Sequence, residues 1–291
     1  MASTLRATML LLALAAATAG ARLALAPAAD AQRPLRELAF LPNGRLLRAV
    51  SLGQRHTLAD YYWLAMLQHV GAAAEAKQPR WEAVYPVADL VTDLDPRFGY
   101  AYQEAGGVLS GLAGRVDLSD RILEKGIAAV PDRWQLHWNL GFNKYFYEND
   151  LPAAARAFER AAVVGKRPHL ALTSAALAMD SGGPEAYDFA IQALETALAE
   201  PSVGPLEEAL TARLVRARTF RTLAVVEAAA ETFRAAAGRY PFGIPELMAT
   251  GHLPAVPSDP AGGRIELDPL TGKARSTVLG PRALLLKGPV Q

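Results

Sequence analysis

The chain has 291 residues, 51% of them hydrophobic and 20% charged, with a formal net charge of +1 and no cysteine. Its length admits one large or two modest domains, and its apolar content suffices for a buried core, which excludes a mainly disordered chain. The near-zero charge, with no run of five basic residues, gives no electrostatic basis for nucleic-acid binding. The missing cysteine excludes thiol catalysis, thiolate metal sites, disulfides and a lipid-modified N-terminal cysteine.

At the N-terminus, Arg6 leads an apolar run from Ala7 to Ala21, and small residues suit signal peptidase at Ala19-Gly20-Ala21 or Ala29-Asp30-Ala31. The run before Arg22 is short of the roughly 20 residues that cross a bilayer as a helix, whereas counting on to Ala29 reaches that length. Residues 1–31 therefore read as a cleaved signal peptide or an uncleaved N-terminal anchor, in preference to an Ala-rich soluble helix. Either reading exports the protein to the periplasm or cell envelope, the second with attachment to the inner membrane.

Residues 32–56 form an irregular segment. Pro42-Asn43-Gly44 signals a turn, and Leu46, Leu47, Val50 and Leu52 offer apolar contacts for a short strand or helix. Thr57 is the predicted N-cap of a helix over Leu58–Ala76, and a second helix is predicted over Arg80–Leu94, ending at Asp95-Pro96. Helices follow at Phe98–Leu112 and Leu118–Val130, at Trp134–Tyr147 and Pro152–Val164, and at Pro168–Met179 and Pro184–Ala199. Pro205 to Ala237 contains no internal Gly or Pro, and its length of about 50 Å as one helix argues for a division near Thr219.

Within the second helix of successive pairs, small or apolar residues recur at steps of four and then three. The sets are Ser119, Leu123 and Gly126; Ala154, Phe158 and Ala161; and Ala190, Leu194 and Ala197, at offsets of 35 and 36 residues. Val84, Ala88 and Val91 form a weaker set 35 residues earlier. Such steps place the residues on one helical face. A small residue precedes each set by twelve or thirteen positions (Ala72, Gly107, Gly141, Ala178), where two helices of a hairpin are expected to touch. Pro131, Pro168 and Pro201 close the later units. The fold class is all-α: a helical-hairpin solenoid over residues 57–218, in which each unit shares its core with its neighbours.

After Gly238 glycine and proline recur every few residues. Arg264–Leu267 and Lys273–Val278 flank Asp268-Pro269-Leu270-Thr271-Gly272, which reads as a β-hairpin with a five-residue turn. Residues 219–283 form a C-terminal helix plus this small Gly/Pro-rich module, and residues 284–291 a tail that is expected to fray.

With Trp138, Leu140, Gly141 and Tyr145 ahead of Ala154, Phe158, Ala161 and Pro168, the chain resembles tetratricopeptide repeat proteins over roughly Thr57 to Pro201. One extra residue stands between Gly141 and Ala154, and Val84 replaces the expected alanine. The resemblance implies a curved helical scaffold that holds peptides or partner proteins. A second resemblance lies in Gly238-Arg239-Tyr240-Pro241, Ile244-Pro245-Glu246-Leu247, Gly251-His252-Leu253-Pro254 and Pro257-Ser258-Asp259-Pro260 with Gly262-Gly263. This stretch is similar to the C-terminal half of type II secretion pseudopilins. No prepilin cleavage motif precedes the N-terminal apolar run, so the resemblance implies association with a secretion or type IV pilus-like assembly rather than a fibre subunit.

By alignment of the repeats, Glu104, Gln135, Trp138, Asn139, Phe142 and Met179 are expected to line the concave groove and bind the partner. Trp134, Trp138, Phe142, Tyr145, Phe146 and Tyr147 crowd the third unit, with Trp134 and Tyr145 favouring the core. Asp89, Asp93 and Asp95 read as solvated carboxylates at a helix end. Asp259, Glu266 and Asp268 lie where some pseudopilins bind calcium, but neither six oxygen ligands nor a fixed geometry is visible, and no metal or other cofactor is assigned. The five histidines occur singly, without zinc-like pairing, and no nucleophile elbow, P-loop or dinucleotide fingerprint occurs. The expected function is noncatalytic: an envelope scaffold that docks a protein or peptide. An envelope hydrolase or transferase with an unrecognised site, and a structural spacer with no peptide groove, are the alternatives.

Overall fold

The computed structural model describes residues 41–75 and 81–279. The signal or anchor segment, both cleavage sites and the C-terminal tail lie outside the described residues. Among these residues the fold is eleven α-helices and one two-stranded antiparallel sheet. No described helix is long and apolar enough to cross a membrane. The chain divides into two compact units that meet between Ile122 and Leu123.

The first unit holds α1 (Gly44–Val50), α2 (Arg55–Glu75), α3 (Val84–Leu94), α4 (Gly99–Gly111) and the first turns of α5 (Val116–Ala129). Asn43, read as part of a turn, caps α1 by accepting from the Leu46 amide, so the irregular segment contains a helix. Leu46, Val50 and Leu52 nevertheless stay exposed. Helix α2 starts before Thr57, which therefore does not cap it; its Oγ1 instead donates to the side chain of Gln54. Helix α3 starts at Val84 rather than at the expected Arg80, and stops at Asp95-Pro96 as expected, because the residue before proline is driven out of helical geometry. Val84, Ala88 and Val91 are fully buried, with Ala59, Trp63 and Met66 of α2 in the same core.

The second unit contains the rest of α5, then α6 (Trp134–Phe146), α7 (Leu151–Gly165), α8 (Pro168–Ser181), α9 (Pro184–Leu198), α10 (Glu207–Ala237), α11 (Ile244–Ala249), β1 (Ile265–Leu267) and β2 (Ala274–Ser276). Each helix from α6 to α10 packs chiefly on its neighbours in sequence. Pro152, Pro168 and Pro184 sit in the first turns of α7, α8 and α9, where the missing N–H would have no intrahelical acceptor. Pro168 thus opens a helix as well as closing the unit before it. All three later sets of the four-and-three pattern are buried, which sets the inward faces of α5, α7 and α9.

Of the small residues ahead of these sets, Gly141 and Ala178 are buried as expected, whereas in the two earlier units the buried residue lies one position away. A Cβ on Gly141 would stand 3.1 Å from the Phe158 ring and 3.3 Å from Ala157. By contrast, Gly107 is exposed and a Cβ there would meet nothing within 4 Å. Its neighbour Gly106 is the buried one, and the Gly106 carbonyl accepts a hydrogen bond of 2.8 Å from Ser119 Oγ. Likewise Ala73, not Ala72, is buried on α2.

Helix α10 does not divide near Thr219. It runs unbroken for 31 residues because one continuous core, from Leu210 to Phe233, is covered along its length by different elements. The N-terminal part packs on α9, held also by Arg218–Glu195 and Arg221–Asp188 ion pairs of 2.7 Å each. The C-terminal part supports α11 and the sheet. Gly238, in the left-handed region at φ 72°, stops it. The hairpin forms as expected, with Ile265 opposite Ser276 and Leu267 opposite Ala274.

Candidate functional site: an aromatic ladder on α6

Trp138, Phe142 and Phe146 follow one another at steps of four, so a helix brings their side chains into line on one face. The rings stack nearly in parallel: Trp138 and Phe142 have centroids 5.8 Å apart at 19°, and Phe142 and Phe146 have centroids 5.3 Å apart at 10°. Tyr147 meets both Phe142 and Phe146 edge-on. Trp138 also rests edge-to-face on Phe158 of α7, and the close approach of Gly141 to Phe158 sets that spacing. Helix α6 thus packs on α7 behind these rings, of which Phe142 is half-buried and the others are open to solvent. Trp138 is 38% exposed, Phe146 47% and Tyr147 40%.

The other aromatics of this helix are structural. Tyr145 packs against the core. Trp134 is partly buried against that core as well, beside Gly165, with the Arg167 guanidinium 5.3 Å from its ring. No known family model, curated protein or solved structure matches the chain.

Of the residues expected to line a groove, Gln135, Trp138, Asn139 and Phe142 share α6. Trp138 is exposed, and the other three are half-buried. Glu104 belongs to the first unit, on α4, where its carboxylate accepts from Gln103. Met179 is corrected: only 4% exposed, it packs into the core of the second unit, because α8 is apolar on nearly all sides and is sandwiched between α7 and α9. Phe146 and Tyr147 extend the exposed surface beyond the expected set. The signal for Phe146 was present, since it continues the Trp138-to-Phe142 step by another four residues.

Asp259, Glu266 and Asp268 have separate duties. Asp259 is buried and accepts from Ser276 Oγ at 2.6 Å, the Ala261 amide at 2.9 Å and Thr219 Oγ1 at 3.2 Å. Burial works to raise its pKa, but these donors outweigh it and hold the carboxyl below its usual value. Glu266 pairs with Arg275, and Asp268 caps its own turn by accepting from the Leu270 amide and Thr271 Oγ1. Among the described residues, no three His, Cys, Asp or Glu side chains gather in a metal-binding group. Asp95 is paired with His56 at 3.1 Å. Glu148 pairs with Lys144, and Asp150 caps α7 through the Ala153 amide.

Proposed function

We propose that this protein is a noncatalytic, exported scaffold of the cell envelope that docks a protein or peptide on a tetratricopeptide-like helical array. The observation that carries the reading is the stack in which exposed Trp138 and Phe146 flank half-buried Phe142, closed at its end by exposed Tyr147. Monomeric surfaces seldom leave large rings clustered in water, and aromatic anchors supply much of the energy at interfaces because they bury wide area at small entropic cost. Neighbour-on-neighbour helix packing and the burial of every four-and-three set support the repeat architecture. The resemblance of the C-terminal module to pseudopilins makes a secretion or type IV pilus-like assembly the expected setting.

The test pairs capture with folding. Trp138→Ala with Phe142→Ala should leave helical circular dichroism intact while weakening capture of a crosslinked cellular partner. One lost anchor of ~2 kcal/mol lowers affinity about thirtyfold. Undiminished capture by the folded double variant would overturn the ladder as the docking surface.

A further inference from the structure

A second feature of the same unit lies in a cleft of about 410 Å³ between α5, α6 and α7. Its walls are mostly apolar, from Ile127 and Ala128, Leu140, and Ala153 with Ala157. Arg156 and Arg160 stand one helical turn apart on its α7 wall. Two like charges four residues apart on a helix repel. Lys144 at the opposite wall is neutralised by Glu148, but among the described residues neither Arg156 nor Arg160 has an ion pair or a hydrogen bond. Glu124 is the single carboxylate of the lining, on the α5 side.

His137 supplies an independent observation. It lines the cleft at only 9% exposure, and its imidazole has no hydrogen-bond partner among the described residues. Its ring nitrogens are not among the fully enclosed unpartnered atoms of the described residues, so they open onto the solvent of the cleft. Burial, aided by the nearby Arg160 charge, keeps the ring neutral by lowering its pKa. The cleft thus presents an apolar trough, two uncompensated guanidiniums at its edge and one donor within its wall.

We infer that this cleft binds an aliphatic carboxylate, with the hydrocarbon chain along Ile127, Leu140 and Ala157 and the carboxylate held by Arg156 and Arg160. Guanidinium suits a carboxylate because its planar fork can donate two parallel hydrogen bonds. The apolar trough gives the tail its own share of affinity, so a bare anion would lack half of the recognition. This site is separate from the aromatic ladder, and its occupation does not depend on partner docking.

The test is calorimetric titration of the full chain with sodium decanoate below its micellar concentration. One saturable site is expected. Arg156→Gln combined with Arg160→Gln should weaken it at least tenfold without lowering the melting temperature, since both side chains are exposed. Ala153→Phe, which fills the trough while leaving both charges, should abolish it. Trp138→Ala with Phe142→Ala should leave it unchanged, and this arm separates the cleft from the ladder. Decyltrimethylammonium binding as well as decanoate, inorganic phosphate displacing decanoate at equal concentration, or decanoate binding that ignores the arginine substitutions would each overturn the inference.

Discussion

Asp259 shows how much one polar residue can hold. Its carboxylate joins α10, through Thr219, to the second strand, through Ser276, and to its own loop, through Ala261. Asp259→Ala would leave two buried hydroxyl groups without acceptors, at about 1–3 kcal/mol for each unsatisfied group, and the melting temperature should fall clearly. The pH dependence follows from linkage. The folded pKa is depressed, so the contribution is fully present above the unfolded value near ~4 and is lost as pH falls through the folded value. Asp259→Asn should flatten that acid decline in calorimetric melts; an unchanged slope would mean the carboxylate is not the linked group. Gly107 supports the opposite kind of prediction. A Cβ there meets open space, so Gly107→Ala should stabilise α4 by about 0.5–1 kcal/mol through helix propensity. A loss of stability in denaturant titration would restore it as a helix contact.

The second helix of each pair carries an inward stripe of small and apolar residues, and on α7 that stripe is Ala154, Phe158 and Ala161. All are buried, and α7 lies between α6 and α8. Ala154→Trp would force an indole between packed helices, at a cost of about 1–3 kcal/mol or more, and should lower the thermal melt. A melt that stays in place would show that α7 can rotate without loss. On α6 the division of labour is by face. Gly141 and Leu136 turn inward, Tyr145 covers the core, and the stack from Trp138 to Phe146 looks outward. Periodicity marks such a helix, but it does not say which of six aromatics the neighbouring helices cover. Trp134 is claimed by Gly165 and Arg167 of the next turn, contacts that no local pattern announces.

At the scale of the molecule, export is a statement about the N-terminal segment and is checked there. Sequencing the mature protein after cell fractionation should find an envelope protein that starts after Ala21 or Ala31, or an intact anchor. Intact Met1 in the cytosol would end the envelope reading. Helix positions, the helix stop at Asp95-Pro96, the inward stripes and the C-terminal hairpin were legible because each rests on local chemistry: 3.6-residue periodicity, proline geometry and turn residues. Four features depended on packing across long separations. Helix α10 stays whole because α9 covers one end and the sheet the other. The helix contact moves from Gly107 to Gly106 because Ser119 reaches the carbonyl of Gly106. Met179 leaves the surface because helices before and after α8 close over it, and the cleft beside Arg156 and Arg160 exists only once three helices meet. A sequence pattern specifies which face of a helix is apolar, whereas burial of any one side chain is settled by what the rest of the chain brings against it.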